Sequence, residues 1–232
     1  MLLFLSNCLA QSNLTYAIAT VAGSGQERTL GVGEEGRQAT NVHLNFPSSI
    51  ALDHRGTLYF ADFSARIRKG ALPTGSITTV AGTAPEDIPE TADRQPARRL
   101  GGPGDVAVDG AGNIYFADGS DHRIRRIAAD TGILMTIAGN GSAATGIYTT
   151  IQGRTVVKDI GDDDLAVNAP IGTPAGLAVD VLGNLFFTNG GDMVRRLAAD
   201  TGIITRVAGA GVLTTPVTVG PLFLRSDTSL RR

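Results

Sequence analysis

The chain has 232 residues, of which 42% are hydrophobic and 18% charged, with a formal net charge of −2. This balance excludes a disordered chain and a bundle of membrane spans, and it argues against a dedicated nucleic-acid binder. Cys8 is the only cysteine, which excludes an intrachain disulfide framework and a cysteine zinc site. Glycine is abundant, at 30 residues, and aromatic residues make up 5%, a balance typical of short strands joined by many turns.

The first ten residues resemble a short secretory signal. Residues 1–5 are apolar, and residues 8–10 include small side chains where a signal peptidase would cleave. We therefore predict a signal peptide over residues 1–10 and a secreted or extracytoplasmic protein. The alternative is an apolar N-terminus without a targeting role. No stretch of the sequence is apolar for long enough to cross a bilayer as a helix.

One block of sequence occurs three times, at residues 47–82, 103–139 and 174–209. Each copy begins with Pro-x-x-apolar-Ala-apolar-Asp, continues through x-x-Gly, an apolar segment and an Arg-rich segment, and ends on Val-Ala-Gly or Ile-Ala-Gly. Self-similarity at this spacing indicates a single supersecondary unit that is repeated along the chain.

Each copy is predicted to contain four antiparallel strands, a to d. Strand a covers residues 49–53, 105–109 and 176–180; strand b covers 57–61, 113–117 and 184–188; strand c covers 66–70, 123–128 and 194–198; strand d covers 77–82, 134–139 and 204–209. A further copy of strand d, at residues 18–23, precedes the first block. Tight turns with Asp first and Gly fourth join strands a and b, and their aspartates should accept hydrogen bonds from the turn backbone; these are Asp53, Asp109 and Asp180.

Such sheets cannot bury both faces alone, so we predict that the copies pack radially as blades of an all-β propeller. A parallel β-helix is the alternative, but its rungs are shorter than these units. Long connectors at residues 24–46, 83–102 and 140–173 precede the blades, and an irregular tail follows at 210–232. The strand at residues 18–23 has no blade to join. We therefore expect an open arc of three blades that self-associates through exposed edges.

The second copy resembles an NHL repeat. The resemblance is carried by Gly-Gly-Pro-Gly-Asp-Val-Ala-Val-Asp-Gly-Ala-Gly-Asn-Ile-Tyr-Phe-Ala-Asp at residues 101–118 and His-Arg-Ile-Arg-Arg-Ile at 122–127. It is similar to the Val-Ala-Gly type of repeat found in secreted and bacterial proteins, and it covers residues 18–209. The resemblance implies a propeller that usually has six blades, whereas three are present here. Members of this family include interaction platforms, RNA readers, sensor ectodomains and an amidating lyase.

Several charged residues recur at equivalent positions of the copies. Asp62 and Asp118 end strand b, while Arg66 and Arg123 begin strand c, so an Asp–Arg pair across each corner is expected. We interpret these pairs, and the turn aspartates, as structural features that recur because the blade recurs. A repeated recognition site is the alternative.

The histidines do not form a zinc site in the predicted propeller. His54 lies in an a–b turn, on the opposite face from the loops that contain His43 and His122. A catalytic zinc site needs about three converging ligands, so no metal and no cofactor are expected. The lyase branch of the resembled family uses a histidine-ligated metal in the central channel, and nothing in this sequence matches that site.

Two sets of charged residues are candidates for binding. Asp162, Asp163 and Asp164 lie in the longest connector and, with His122, are predicted to contact a partner; calcium ligation is an alternative for the aspartates, but a solvated loop is favoured. Changing the three aspartates to Ser should therefore leave thermal unfolding almost unchanged. Basic residues of strand c could form a stripe for RNA phosphates, but their alternation with apolar residues favours a structural role: Arg66, Arg68, Lys69, Arg123, Arg125, Arg126, Arg195 and Arg196.

The favoured hypothesis is a non-catalytic propeller that binds a protein or glycan partner through the face formed by its connectors and b–c turns. Loops on a rigid frame usually determine specificity. One alternative is a propeller enzyme of the lyase or lactonase type with a metal in the central channel. A second is an RNA-binding propeller, against which the net charge of −2 argues.

Overall fold

The computed structural model describes most of the repeat region. The residues that it describes are 18–25, 35–71, 75–82, 100–143, 147–151, 154–158, 161–190 and 193–209. The predicted signal peptide at residues 1–10 and the predicted tail at residues 210–232 lie outside this part of the chain.

Three antiparallel sheets, each of four consecutive strands, form three blades. Blade 1 contains β1 (Ser49–Leu52), β2 (Thr57–Asp62), β3 (Arg66–Ala71) and β4 (Ser76–Ala81). Blade 2 contains β5 (Pro103–Val108), β6 (Ile114–Asp118), β7 (Arg123–Ile127) and β8 (Leu134–Ala138). Blade 3 contains β11 (Pro174–Val179), β12 (Leu185–Asn189), β13 (Met193–Leu197) and β14 (Ile204–Ala208). In each sheet the order follows the sequence, so the predicted four-stranded meander is confirmed.

Among the described residues, the connectors and the β6–β7 turn contain three short elements that were not predicted from the sequence. Two are 3-10 helices, η1 (Ala39–Asn41) and η2 (Gly119–Asp121). The third is a separate antiparallel hairpin within the longest connector, made of β9 (Ile147–Ile151) and β10 (Arg154–Lys158). The long connector before blade 3 therefore has secondary structure of its own.

The turn between the first two strands of each blade is held by its aspartate. Oδ1 of Asp109 accepts hydrogen bonds from the backbone N–H groups of Ala111 and Asn113, both at 2.9 Å. Asp53 and Asp180 accept the corresponding bonds in blades 1 and 3. Burial opposes ionisation of Asp109, but hydrogen bonds from Asn113, Tyr115 and the turn backbone outweigh it and lower the pKa of this carboxyl.

Neighbouring blades pack face to face through two apolar clusters. Phe116 of β6 lies in the cluster between blades 1 and 2, and Phe187 of β12 lies in the cluster between blades 2 and 3. Both side chains are fully buried, and each such burial stabilises the fold by about 1.5–3 kcal/mol. Phe60, at the same position of blade 1, packs instead on Ala39 and Val42 of the preceding connector.

The outer faces of the two terminal blades are open among the described residues. The register places Ile50 of β1 at the position that Val106 occupies in β5. Val106 is 4% exposed because blade 1 covers it, whereas Ile50 is 70% exposed and Leu52 beside it is 58% exposed. On the other side of the arc, Val207 of β14 is also exposed. The fold is therefore an incomplete β-propeller of three blades.

The predicted leading strand at residues 18–23 is wrong, because these residues form no strand among the described part of the chain. They still follow the path of a blade's last strand. Gly23 donates its N–H to the carbonyl of Ala39 at 2.9 Å, as Gly139, the residue after β8, donates to the carbonyl of Ala166 at 2.8 Å. No other strands of a preceding blade are described beside residues 18–23, so the sheet hydrogen bonds that define a strand are absent there.

One carboxylate joins the innermost strands of all three blades. Strand β5 lies between β1 and β11, and Asp105 of β5 is its central polar residue. Oδ1 of Asp105 accepts a hydrogen bond from the Ser49 hydroxyl of blade 1. Oδ2 accepts the backbone N–H of Leu177 in blade 3 at 2.5 Å. The other blades have Ser49 and Gly176 at this position, so the carboxylate belongs to the middle blade alone.

Candidate functional site

The face that contains the connectors and the turns between the second and third strands is called here the loop-rich face. The last residue of each second strand lies at this face. Asp118 accepts the backbone N–H of Gly101 at 2.7 Å, and Asn189 accepts that of Gly172 at 2.9 Å. Asp62 instead accepts the backbone N–H of Ser64 at 2.9 Å and the Ser64 hydroxyl at 2.6 Å. These side chains fix the entry of a connector or the turn itself.

Asp118 is a buried carboxyl with an unusual balance of interactions. Burial raises the pKa of Asp118, while the Gly101 N–H and the Arg125 guanidinium act in the opposite direction. Because burial prevails, the ionised form is disfavoured relative to an exposed carboxyl. Asn189 makes the same backbone bond in blade 3 without a charge. The position therefore needs an acceptor oxygen rather than an anion.

The ion pairs at the turn between the second and third strands of blade 2 differ from the predicted Asp–Arg pair. In blade 2, Nη1 of Arg123 lies 2.7 Å from Oδ2 of Asp121, a residue of η2, rather than pairing with Asp118. The ionic partner of Asp118 is Arg125, with Nε 3.5 Å from Oδ2. Arg66 of blade 1 is buried and has interaction partners of its own. Asp121 of η2, which has no counterpart in the shorter turn of blade 1, is therefore the ionic partner of Arg123 in blade 2.

His122 is positioned by its backbone. It ends η2 with φ 51°, in the left-handed region, and its carbonyl lies against Gly139. A Cβ on Gly139 would be only 2.2 Å from that oxygen, and Gly139 itself has φ +89°, so glycine is required there. The predicted role of His122 in binding stays a prediction.

His54 lies in the β1–β2 turn, on the opposite face. Within the described ranges, no group of three or more His, Cys, Asp and Glu residues could hold a metal ion.

Asp162 in the longest connector forms an ion pair with the buried Arg195. Its Oδ1 accepts hydrogen bonds from Nε and Nη2 of Arg195, at 3.0 and 2.8 Å, and the Arg195 side chain is fully buried. Burial lowers the pKa of Arg195, and the Asp162 carboxylate acts against that shift. The expectation of a wholly solvated acidic loop is therefore wrong for Asp162. Asp163 and Asp164 are exposed, and their predicted contact with a partner stays a prediction.

The same arrangement recurs in blade 1 with different residues. Glu35, from the connector before β1, lies 3.5 Å from Nη2 of the buried Arg68, and its Oε2 accepts the backbone N–H of Thr79 at 2.7 Å. Arg68 and Arg195 occupy equivalent positions of β3 and β13. In both blades the connector passes along the last strand of its own blade and supplies the counter-ion for a buried arginine.

Other basic residues of the third strands are also engaged within the blades. Nη2 of Arg126 donates to Oδ1 of Asn113 at 2.7 Å, and Nη2 of Arg196 donates to Oδ1 of Asn184 at 2.7 Å. Arginines that are buried or bonded in this way are not presented as a stripe for nucleic-acid phosphates. The structural interpretation of these residues fits the observed contacts.

Two phenylalanines on the loop-rich face were not identified from the sequence. Phe46 precedes Pro47 at the end of the first connector, and Phe63 follows β2. Each is 74% exposed, and their rings meet edge to face with centroids 6.3 Å apart. The equivalent positions of blade 2 are Gly102 and Gly119. The signal in the sequence was this departure from the repeat, in which large aromatic residues replace glycine.

Comparison with known proteins gives distant relatives. No protein-family model matches the chain. The chain is 27% identical over 198 residues to mouse Teneurin-3 and 25% identical over 198 residues to human Teneurin-4. These alignments cover 85% of this chain and 7% of each relative, so the chain spans only a small part of their length.

The solved structures that resemble the chain are also distant from it. A structural genomics protein of unknown function from Bacteroides thetaiotaomicron is 21% identical, with a TM-score of 0.47, over 70% of this chain and 36% of that protein. A chain of the nidogen/laminin complex is 18% identical, with a TM-score of 0.47, over 72% and 49%. None of the helices formed by the described residues is long and apolar enough to cross a membrane. The topology of its own three blades makes the chain an incomplete β-propeller.

Proposed function

We propose that this chain is an NHL-type β-propeller module that acts outside the cytoplasm as a non-catalytic platform for a protein or glycan partner. The repeat signature in all three blades supports the NHL assignment, and the apolar residues 1–5 support the location. The partner would bind the loop-rich face, where connectors of different length meet a repeated frame.

The observation that carries this proposal is the exposed aromatic pair formed by Phe46 and Phe63. Exposed aromatic rings supply large contact areas and are enriched at sites that dominate binding energy. The fold does not require them, because blade 2 has glycine at both positions. Phe46 moreover has φ 44°, a left-handed backbone that is strained for a residue with a side chain. Strain retained at an exposed position is characteristic of functional sites.

The residues proposed for the rest of the binding surface are Asp163, Asp164 and His122. His122 belongs to the turn between the second and third strands of blade 2. Asp163 and Asp164 belong to the connector before blade 3, where their backbone groups are hydrogen-bonded to Ile204 at the start of β14. Asp162 is committed to Arg195 and contributes by holding the connector in place. The proposal thus combines an apolar contact region on the loop-rich face of blade 1 with exposed acidic groups that lie beside the start of β14.

The proposal is tested by converting blade 1 to the pattern of blade 2 with Phe46→Gly and Phe63→Gly. The double variant should unfold within a few degrees of the wild type, because the strain relieved at position 46 offsets the conformational entropy that glycine adds to the unfolded chain. Immobilised protein is exposed to an extracellular fraction and to a glycan array. We expect the wild type to retain a defined partner and the double variant to lose most of that retention.

A matched control removes exposed apolar side chains from the opposite face. Val181 and Leu182 lie in the β11–β12 turn and are strongly exposed. The variant with Val181→Ala and Leu182→Ala should bind as the wild type does. Equal retention by the wild type and the Phe46/Phe63 variant, or loss of retention only in the control, would overturn the proposal.

A further inference from the structure

A cleft opens between blades 1 and 2 on the face opposite the loop-rich face. Its volume is about 510 Å³, within the range of ligand pockets in proteins. The β1–β2 turn of blade 1 and the β5–β6 and β7–β8 turns of blade 2 form its rim, and strands β2, β3, β4, β6 and β7 contribute to its walls. The charged residues that line it are Asp53, His54, Arg55, Lys69, Asp109 and Asp130.

In blades 2 and 3, an asparagine accepts a hydrogen bond from the arginine that lies beside this turn. Arg126 donates to Oδ1 of Asn113, whose Nδ2 donates to Oδ2 of Asp109 at 2.7 Å. Blade 3 repeats the network with Arg196, Asn184 and Asp180. The cation, the amide and the turn carboxylate are thus linked to one another within the blade.

Blade 1 departs from this network at two positions at once. Thr57 stands where the other blades have asparagine, and Lys69 stands where they have arginine. The Thr57 side chain bonds to Asp53, but it has no amide carbonyl to offer to the cation. Lys69 is exposed, and within the described part of the chain its ammonium has no hydrogen bond or ion pair. The two substitutions therefore leave the Lys69 ammonium exposed at the cleft and unpaired among the described residues.

The other charged side chains that line the cleft differ in whether they already have hydrogen-bond partners within the protein. Asp53 and Asp109 are occupied by their own turns, since each accepts two backbone N–H groups. The side chains of Arg55 and Asp130 are exposed and make no hydrogen bond or ion pair within the described residues. His54 extends toward blade 2, where its Nε2 lies 3.8 Å from the Cβ position of Gly110. One wall thus offers cations, and Asp130 on the other wall offers a free carboxylate.

We propose that this cleft is a binding site for an acidic sugar. The sugar carboxylate would pair with Lys69 and Arg55, and a ring hydroxyl would donate to Asp130. Val80 is half-buried and lines the cleft, where it would contact the apolar C–H face of a sugar ring, while the buried Ile114 and Ile127 lie beneath it. The site should prefer a sugar acid to a neutral sugar, because a neutral sugar has no carboxylate that can form charge-assisted hydrogen bonds with Lys69.

The test is titration of the full chain with galacturonate, followed by protein-observed NMR or calorimetry, with galactose and acetate as comparison probes. Galacturonate should bind at least tenfold more tightly than galactose or acetate. Lys69→Met should weaken galacturonate about tenfold, as expected for the loss of one charge-assisted hydrogen bond. Arg37→Met, which removes an exposed charge from the connector before β1, should bind as the wild type does.

A second variant separates loss of binding from loss of folding. Thr57→Asn combined with Lys69→Arg rebuilds in blade 1 the network of blades 2 and 3. It should keep the thermal unfolding of the wild type and lose galacturonate binding. Absence of galacturonate binding, equal binding of galactose or acetate, or wild-type affinity in both variants would overturn the proposal. The Phe46/Phe63 variant should retain galacturonate, so this site and the loop-rich face are tested independently.

Discussion

Removal of the Asp162 carboxylate should destabilise the fold, because it leaves the Arg195 guanidinium buried without a counter-ion. Arginine stays protonated in proteins, so the charge cannot be relieved by titration. Removing one partner of a buried pair costs about 3–5 kcal/mol. The Asp162 side chain is 20% exposed, and the Pro170 carbonyl still accepts from Arg195 at 3.3 Å. We therefore expect Asp162→Ala to lower the free energy of unfolding by about 3 kcal/mol, the lower end of this range.

The assay is thermal and denaturant unfolding of Asp162→Ala beside the wild type. A loss of this size should lower Tm by roughly 6–12 °C for a chain of this length. The control is Asp163→Asn, since Asp163 is exposed and asparagine tolerates its positive φ of 66°. This change should stay within about 0.5 kcal/mol of the wild type.

A double variant identifies the cause. Arg195→Met combined with Asp162→Ala removes the buried charge together with its partner, and it should be more stable than Asp162→Ala alone. The reasoning is refuted if Asp162→Ala unfolds within 2 °C of the wild type, a margin of about 0.5–1 kcal/mol. It is also refuted if the double variant is less stable than the single one.

Two further predictions concern the buried corner and the open faces. The raised pKa of Asp118 means that its stabilising contribution is complete below about pH 4 and is lost as pH rises through the folded-state value. Asp118→Asn does not titrate, so its free energy of unfolding relative to the wild type should increase from pH 4 to pH 7; a constant difference would contradict this. Ile50→Ser with Leu52→Ser should shift the protein from self-associated species toward monomer in light scattering after size exclusion, because it removes the open apolar face of blade 1. A wild type that is already a monodisperse monomer would contradict this expectation.

The repeat made most of the fold predictable. Positions such as Phe60, Phe116 and Phe187 recur in the same apolar segment, and the Asp and Gly of each first turn mark its two ends. The strand at residues 18–23 was predicted from the same pattern and was wrong. A strand needs hydrogen-bonded neighbours, and no local pattern reports whether they are present.

Local sequence patterns could not predict which residues form ion pairs. Asp162 and Arg195 are 33 residues apart, and their pairing depends on the route of a connector along β14. The hairpin of β9 and β10 was more accessible, since β-branched residues flank a Gln-Gly pair at positions 152–153. Phe46, Phe63 and Lys69 could also have been found, because each departs from the consensus of its own repeat. Comparison between copies is therefore the most direct route to candidate sites in such chains.

The Asp105 carboxylate has a consequence for cooperativity. In repeat architectures the stability is approximately the sum of the intrinsic stability of each unit and of nearest-neighbour coupling terms. Asp105 bonds to Ser49 on one side and to Leu177 on the other, so one side chain contributes to both coupling terms. Blades 1 and 3 share no strand pairing, yet each loses an interaction when the middle blade opens. Opening of either terminal blade therefore breaks one hydrogen bond to Asp105, which raises the free energy of fraying at both ends of the arc.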